Sequence, residues 1–105
     1  MSIPITRKGD LEEGHSCPTI KRRKGHFGSV FANGINVSGA GHKNTSHTYK
    51  PGIICIAHGP QGLKPTTRSV FAEGILVGRI GDLTCVGADG PVKVVGGSPN
   101  VIVGS

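Results

Sequence analysis

Three residues of metal-binding type each follow a Gly-Asp pair or its equivalent: His15 after Gly9-Asp10, His47 after Gly41-His42, and Cys85 after Gly81-Asp82. The two histidines come five residues after the pair, and the cysteine comes three residues after it. Imidazole nitrogen and thiolate sulfur both bind zinc well, and His58 would complete a tetrahedral set of three histidines and one cysteine. Iron is the second choice, because ligand type alone does not exclude it.

Two other cysteines compete for a place in this ligand set. Cys17 lies two residues after His15, and Cys55 forms a Cys-x-x-His motif with His58. Residues 1–10 contain no apolar run of the kind that marks a secretory signal, so reduced thiols are expected. Metal binding therefore ranks above a disulfide for these cysteines.

A ligand set of four protein side chains would fill the coordination shell of the metal. A closed shell leaves no position for a reactive water and indicates a structural ion, whereas a small metallohydrolase would need an open position. The sequence contains no Gly-x-Ser-x-Gly elbow and no Walker loop. Its six carboxylates form no local pair that suggests catalysis, and Glu12-Glu13 is interpreted as a solvated turn. We therefore expect that the protein is not an enzyme.

An internal repeat would position these ligands. Residues 29–35 and 69–75 are identical at six of seven positions, at an offset of 40. Asn33-Gly34 is a strong signal for a two-residue type I′ turn, because both residues tolerate positive φ, and Glu73-Gly74 is a weaker one. Each copy therefore predicts a β-hairpin, with apolar residues paired across its strands.

A third copy of the repeat is divided between the two ends of the chain. Residues 98–103 resemble the incoming strand, and residues 3–10 line up with the outgoing strand of the second copy. The third hairpin would then be closed by the two termini, and the chain would contain three pseudo-threefold hairpins. Five valines of these hairpins are expected either to form a docking face or to pack inside the core: Val30, Val37, Val70, Val77 and Val101.

The composition favours a small fold with a thin core. The chain has 105 residues, of which 35% are hydrophobic and four are aromatic. A single domain of this size buries little apolar surface, so a metal, a disulfide or a partner is expected to stabilise it. No segment carries a helical apolar stripe. We predict one all-β domain over residues 1–105, stapled by metal.

The basic run Lys21–Lys24 contributes much of a net charge of +6. Such a run can bind nucleic acid, an anionic membrane or an acidic protein, but charge runs are commonly solvated, and a solvated loop is the expectation here. No aromatic residue directly flanks it to stack on bases. A zinc-dependent nucleic-acid-binding module is therefore kept only as an alternative.

The order of these motifs resembles the PAAR-repeat family of spike tips. The opening Ile3–Asp10, the two Ser-Val-Phe-x-x-Gly hairpins, the Gly-Arg-Ile-Gly-Asp-x-x-Cys segment and the closing Gly-Ser-Pro-Asn-Val look most like the short phage members. The resemblance implies a cone-like β protein with a metal near its point. The ligands that it implies are His15, His47, His58 and Cys85.

The resemblance also implies what the protein does. It would cap and sharpen the trimeric central spike of a contractile injection machine, such as a phage tail baseplate, to pierce a cell envelope. One tip would bind each spike trimer, without forming a homo-oligomer, without binding nucleic acid and with only transient envelope contact. The expected location is the virion. The alternative is a type VI secretion tip on a VgrG trimer, made in the bacterial cytoplasm and then delivered.

Overall fold

Short β-strands joined by tight turns make up the chain in a computed structural model, which describes residues 3–14, 17, 21–49, 53–85 and 92–104. These residues contain no helix, and therefore none that could span a membrane. The all-β prediction is confirmed for this part of the chain. The molecule measures 39 × 24 × 22 Å along its principal axes. Its strands, in chain order, are β1 (Ile3–Pro4), β2 (Phe31–Ala32), β3 (Ile35–Asn36), β4 (His47–Tyr49), β5 (Ile56–His58), β6 (Leu63–Lys64), β7 (Phe71–Ala72), β8 (Ile75–Leu76), β9 (Leu83–Thr84), β10 (Val92–Lys93) and β11 (Ile102–Val103).

Both predicted hairpins form around their two-residue turns. β2 pairs with β3 and β7 pairs with β8, each antiparallel. Asn33 and Glu73 have φ angles of 55° and 49°, and the glycines that follow them are also left-handed, at 75° and 78°. These are the angles that a type I′ turn requires, which explains why a glycine ends each turn.

The third hairpin joins the two ends of the chain. β1 pairs antiparallel with β11, with Ile3 opposite Val103 and Pro4 opposite Ile102. The prediction that the terminal strands pair is therefore confirmed. We refer below to β2–β3, β7–β8 and β11–β1 as the three hairpin units.

Backbone hydrogen bonds between the units close into a ring. The residue two positions after each outgoing strand takes part: Thr6 N donates to Gly78 O (3.1 Å), Gly78 N to Ser38 O (2.9 Å), and Ser38 N to Thr6 O (3.1 Å). All three residues are buried. A Cβ atom on Gly78 would lie 2.4 Å from Leu63 and 2.8 Å from Thr6, so any larger residue would have to displace these side chains.

A second set of bonds, from amides two residues further along, links the same three units in the opposite sense of donation. The amides of Lys8, Ala40 and Ile80 donate to the carbonyls of Asn36, Leu76 and Pro4, at 2.9, 2.9 and 3.0 Å. Each unit thus bonds to the next in the same register, and the third bonds back to the first. Pairing of this kind satisfies the edges of strands that are only two residues long.

The apolar core lies beneath the hairpin units and is small. Its buried members are Ile5, Phe27, Ala32, Val37, Ala72, Val77 and Val103, with Val30 and Val70 packed against them. Of the five valines with two possible roles, four therefore belong to or contact the core rather than a docking face. Val101 is the exception, with 37% of its surface exposed.

Candidate metal centre and buried charge cluster

Two of the predicted ligands meet inside the protein. His47 opens β4, and Cys85 directly follows β9 in a left-handed conformation with a φ of 56°. Both residues are buried. His47 Nε2 and Cys85 Sγ lie 3.5 Å apart, although 38 residues separate them in the chain.

The other ring nitrogen of His47, Nδ1, has a backbone partner. His47 Nδ1 lies 2.8 Å from the carbonyl oxygen of Thr45, which can only accept a hydrogen bond. Nδ1 therefore donates to Thr45, and Nε2 is the ring nitrogen that faces Cys85. Metal-binding histidines commonly donate their second N–H to a backbone carbonyl in this way.

The separation of these two atoms fits a shared tetrahedral ion. With zinc–nitrogen and zinc–sulfur bonds of about 2.0 and 2.3 Å, two tetrahedral ligands lie about 3.5 Å apart. The observed distance between Nε2 and Sγ is 3.5 Å. The spacing is also that of an ordinary hydrogen bond between a cysteine sulfur and an imidazole nitrogen, so the contact alone does not require an ion.

The two remaining predicted ligands are described only in part or not at all. His58 is the cross-strand partner of His47 in the β4–β5 pair, so its backbone lies beside this site. Its side chain, like the whole of His15, falls outside the described residues. Within those residues, no group of three metal-binding side chains occurs.

Cys17 and Cys55 form a disulfide, which corrects the expectation that these thiols stay reduced. Their Cα atoms lie 6.1 Å apart, within the range that a disulfide bridges. The bond ties Cys17 to the residue directly before β5, the strand that ends at His58, and so removes both cysteines from the ligand alternatives. Cys85 is the cysteine that takes no part in a disulfide.

A carboxylate lies at the centre of a buried charge cluster beside these ligands, so the interpretation of Glu12 as part of a solvated turn is wrong. Its side chain is fully buried and forms ion pairs with Arg23 Nη1 (2.6 Å) and Lys21 Nζ (3.5 Å). Asn44 Nδ2 and Thr84 Oγ1 also donate to it, at 2.9 and 3.0 Å. We call these five residues the Glu12 cluster.

The pKa of Glu12 lies below its ordinary value. Burial alone would raise it, but hydrogen bonds from Arg23 and Asn44 and the charges of Arg23 and Lys21 lower it further than burial raises it. Glu12 is therefore ionised, and it compensates the cations packed around it.

Half of the basic run faces inward, which corrects the prediction of a solvated loop. Lys21 and Arg23 are each 1% exposed, whereas Arg22 and Lys24 point to solvent. This alternation is that of an extended strand, and single bridges pair Arg22 with Leu11 and Arg23 with Asn44. Four consecutive basic residues show no alternation of residue type, so this part of the sequence carried no signal for it.

The Gly41-His42 departure from Gly-Asp does not disturb the local turn. In the other two units the carboxylate accepts the amide three residues earlier: Arg7 N donates to Asp10 Oδ2 at 2.7 Å and Arg79 N to Asp82 Oδ2 at 2.8 Å. His42 Nδ1 accepts from Gly39 N at 2.9 Å in the same position. Its pKa is lowered by burial and by the charge of Arg23, so the ring remains an acceptor.

Matched apolar side chains stand outside the core on all three hairpin units. Phe31, Phe71 and Ile102 hold equivalent positions and are 55%, 58% and 59% exposed. Ile35 and Ile75, across the strands, are also exposed. The residues that the sequence suggested for a docking face were the neighbouring valines instead. The signal that was missed is the alternation of a strand, which sends residues 31 and 71 to the face opposite Ala32 and Ala72.

No family model matches the chain, and no curated protein matches it significantly.

Proposed function

We propose that this chain is a structural spike tip, one copy of which caps the trimeric central spike of a contractile injection machine. The observation that carries the proposal is the ring of hydrogen bonds through Thr6, Ser38 and Gly78, which relates the three hairpin units cyclically. One chain of this kind presents approximate threefold symmetry. It can therefore match the end of a trimer, with each unit meeting one subunit.

The docking face of the tip is formed by the exposed apolar residues of the units: Phe31, Ile35, Phe71, Ile75 and Ile102. Their exposures are nearly equal at matched positions, which is expected when each meets the same surface of a different subunit. Contiguous exposed apolar residues commonly mark protein interfaces. These residues take the docking role that was expected of the valines, because four of the five valines belong to the core or pack against it.

The narrow end of the cone would be pinned by one metal ion held by His15, His47, His58 and Cys85. The approach of His47 Nε2 to Cys85 Sγ and the bond from His47 Nδ1 to Thr45 support this set. Zinc suits the nitrogen and sulfur donors, and iron is the alternative. A bound ion would cross-link chain segments that only short strands otherwise connect, and it would perform no chemistry on a substrate.

The proposed location is the tip of a phage tail baseplate, with a type VI spike on a VgrG trimer as the alternative. In either case, the tip would contact the target envelope transiently and act mechanically.

The alternative of a nucleic-acid-binding module is weakened because Lys21 and Arg23 are buried against Glu12. Only Arg22 and Lys24 of the basic run remain exposed to contact phosphate groups. Steeply salt-dependent DNA binding would revive that alternative.

Native mass spectrometry of the tip with the trimeric spike protein encoded beside it tests the proposal. We expect one tip per three spike chains. Phe71→Asp should abolish the complex, whereas the control Val95→Asp, at a residue that is 50% exposed outside the hairpin units, should leave it intact. A complex of three tips with three spike chains, or equal binding by both variants, would contradict the proposal.

A further inference from the structure

Lys21 connects the Glu12 cluster to the candidate metal centre. Its ammonium nitrogen lies 3.5 Å from Glu12 Oε1, 3.3 Å from Thr84 Oγ1 and 3.6 Å from Cys85 Sγ. Three acceptors match the three N–H donors of a lysine ammonium. The hydroxyl group of Thr84 donates its hydrogen bond to Glu12, so the lone pairs of its oxygen can accept one from Lys21.

The charges of the cluster favour a negative sulfur beside Lys21. Lys21 and Arg23 are both buried, and among the described residues of the cluster they face the single carboxylate of Glu12. Glu12 lies nearer to Arg23, at 2.6 Å, than to Lys21, at 3.5 Å. A buried cation needs a close anion, and a cysteine sulfur that binds a metal ion is deprotonated.

We propose that Lys21 is a positioning residue of the metal site, which donates a hydrogen bond to Cys85 Sγ while that sulfur is bound to the ion. This inference rests on the proposed metal site. A hydrogen bond from a cation to an anion is short and strong, so it fixes the direction of the sulfur lone pairs. It also withdraws electron density from the sulfur, which weakens sulfur donation to the ion without removing the ligand. Partners outside the first shell commonly tune a metal site in this way.

The test uses the full chain loaded with Co²⁺ in place of the native ion. Sulfur bound to cobalt gives a near-ultraviolet charge-transfer band, whose energy falls when the sulfur becomes a stronger donor. Lys21→Met keeps an unbranched side chain as far as the ε carbon and removes the donor nitrogen, so we expect the band to shift to longer wavelength. Lys24→Met is the matched control, because Lys24 lies in the same segment and points to solvent. Its band should coincide with that of the wild type.

The outcomes separate this inference from the proposed function. If wild-type protein shows no such band, the metal site is wrong, and the role of Lys21 falls with it. If the band is present but Lys21→Met leaves it where it is, the metal site stands and the inference is overturned. A loss of structure alone would not shift the band of the remaining bound cobalt.

A measurement on the unmodified chain serves if Lys21→Met fails to fold. The ammonium nitrogen of a lysine is observed by ¹⁵N NMR when its protons exchange slowly, as expected for Lys21 within three hydrogen bonds. Replacing zinc by paramagnetic cobalt should move this signal strongly. A slowly exchanging lysine signal that is unchanged by cobalt, or the absence of any such signal, would contradict the hydrogen bond to the bound sulfur.

Discussion

Replacing Glu12 by glutamine gives the sharpest test of the buried cluster. One carboxylate oxygen accepts from Arg23, and the other accepts from Asn44 and Thr84 and lies 3.5 Å from Lys21. A glutamine keeps the shape but must direct its NH₂ group at one of these sets of donors. Glu12→Gln therefore removes the compensating charge. Its NH₂ group must also face a hydrogen-bond donor, which is either Arg23 or the pair Asn44 and Thr84.

The expected loss of stability is large for a chain of this size. Removing one partner of a buried ion pair costs about 3–5 kcal/mol, because the other charge stays buried without compensation. Domains of this length have total stabilities of about 5–15 kcal/mol. Glu12→Gln should therefore take a major part of the free energy of unfolding, measured by chemical denaturation of the metal-loaded protein.

The neighbouring glutamate provides the matched control. Glu13 is exposed, and it accepts a single backbone hydrogen bond, from Lys93 N at 2.8 Å. Glu13→Gln should change stability by about 0.5–1 kcal/mol or less. If Glu12→Gln were no more destabilising than Glu13→Gln, the account of a compensated buried cluster would be refuted.

Stability should also depend on pH through Glu12. Its pKa in the folded protein lies below that in the unfolded chain, so its contribution is present above the unfolded value. That contribution is lost as the pH falls through the lower folded value. The free energy of unfolding of the wild type should therefore fall steeply as the pH drops through this range. Glu12→Gln has no titrating carboxyl group at this position, so its free energy of unfolding should depend less on pH there.

Three further predictions concern the ligands, the termini and the disulfide. Chelation or Cys85→Ala should lower the melting temperature sharply, because metal binding contributes to folding in small domains, and an unchanged melt after verified metal removal would contradict this. Deleting residues 99–105 should destabilise far more than loss of a frayed tail, because β11 closes the third unit; an equally stable truncation would exclude that role. Reducing the disulfide, or Cys17→Ser with Cys55→Ser, should weaken zinc binding in a chelator competition, because the bond joins the segments that lead to His15 and His58; equal affinity in both states would refute the link.

The hairpins could be predicted because their signals are local. Asn33-Gly34 and Glu73-Gly74 fix the turns within four residues each, and the repeat transfers the pattern to the chain ends. The approach of His47 to Cys85 was anticipated because both follow the Gly-Asp position of a repeat unit within a few residues, although their spacings of five and three residues differ. These conclusions required no knowledge of long-range packing.

The buried charges could not be predicted because their cause is tertiary. Lys21 and Arg23 have the composition of a solvated run, and only the strand pairings that turn them inward reveal their partner Glu12. The Cys17–Cys55 bond likewise depends on how two loops meet, since reduced thiols and a disulfide are indistinguishable in the sequence. Exposure of Phe31 and Phe71 had a local signal in strand alternation, which the apolar pairing of the valines obscured.

The polar contacts form one continuous path from the backbone ring to Cys85. Arg23 Nε donates to Ser38 Oγ at 3.1 Å, next to the backbone ring, and its guanidinium then reaches Glu12. From Glu12 the path passes to Lys21 and on to the sulfur of Cys85. A chain with so thin an apolar core has little hydrophobic surface to bury away from the hairpin units. Since compensated ion pairs and hydrogen bonds link side chains directionally, they can rigidify a region with little apolar packing, and the loss of any link should loosen the residues beyond it.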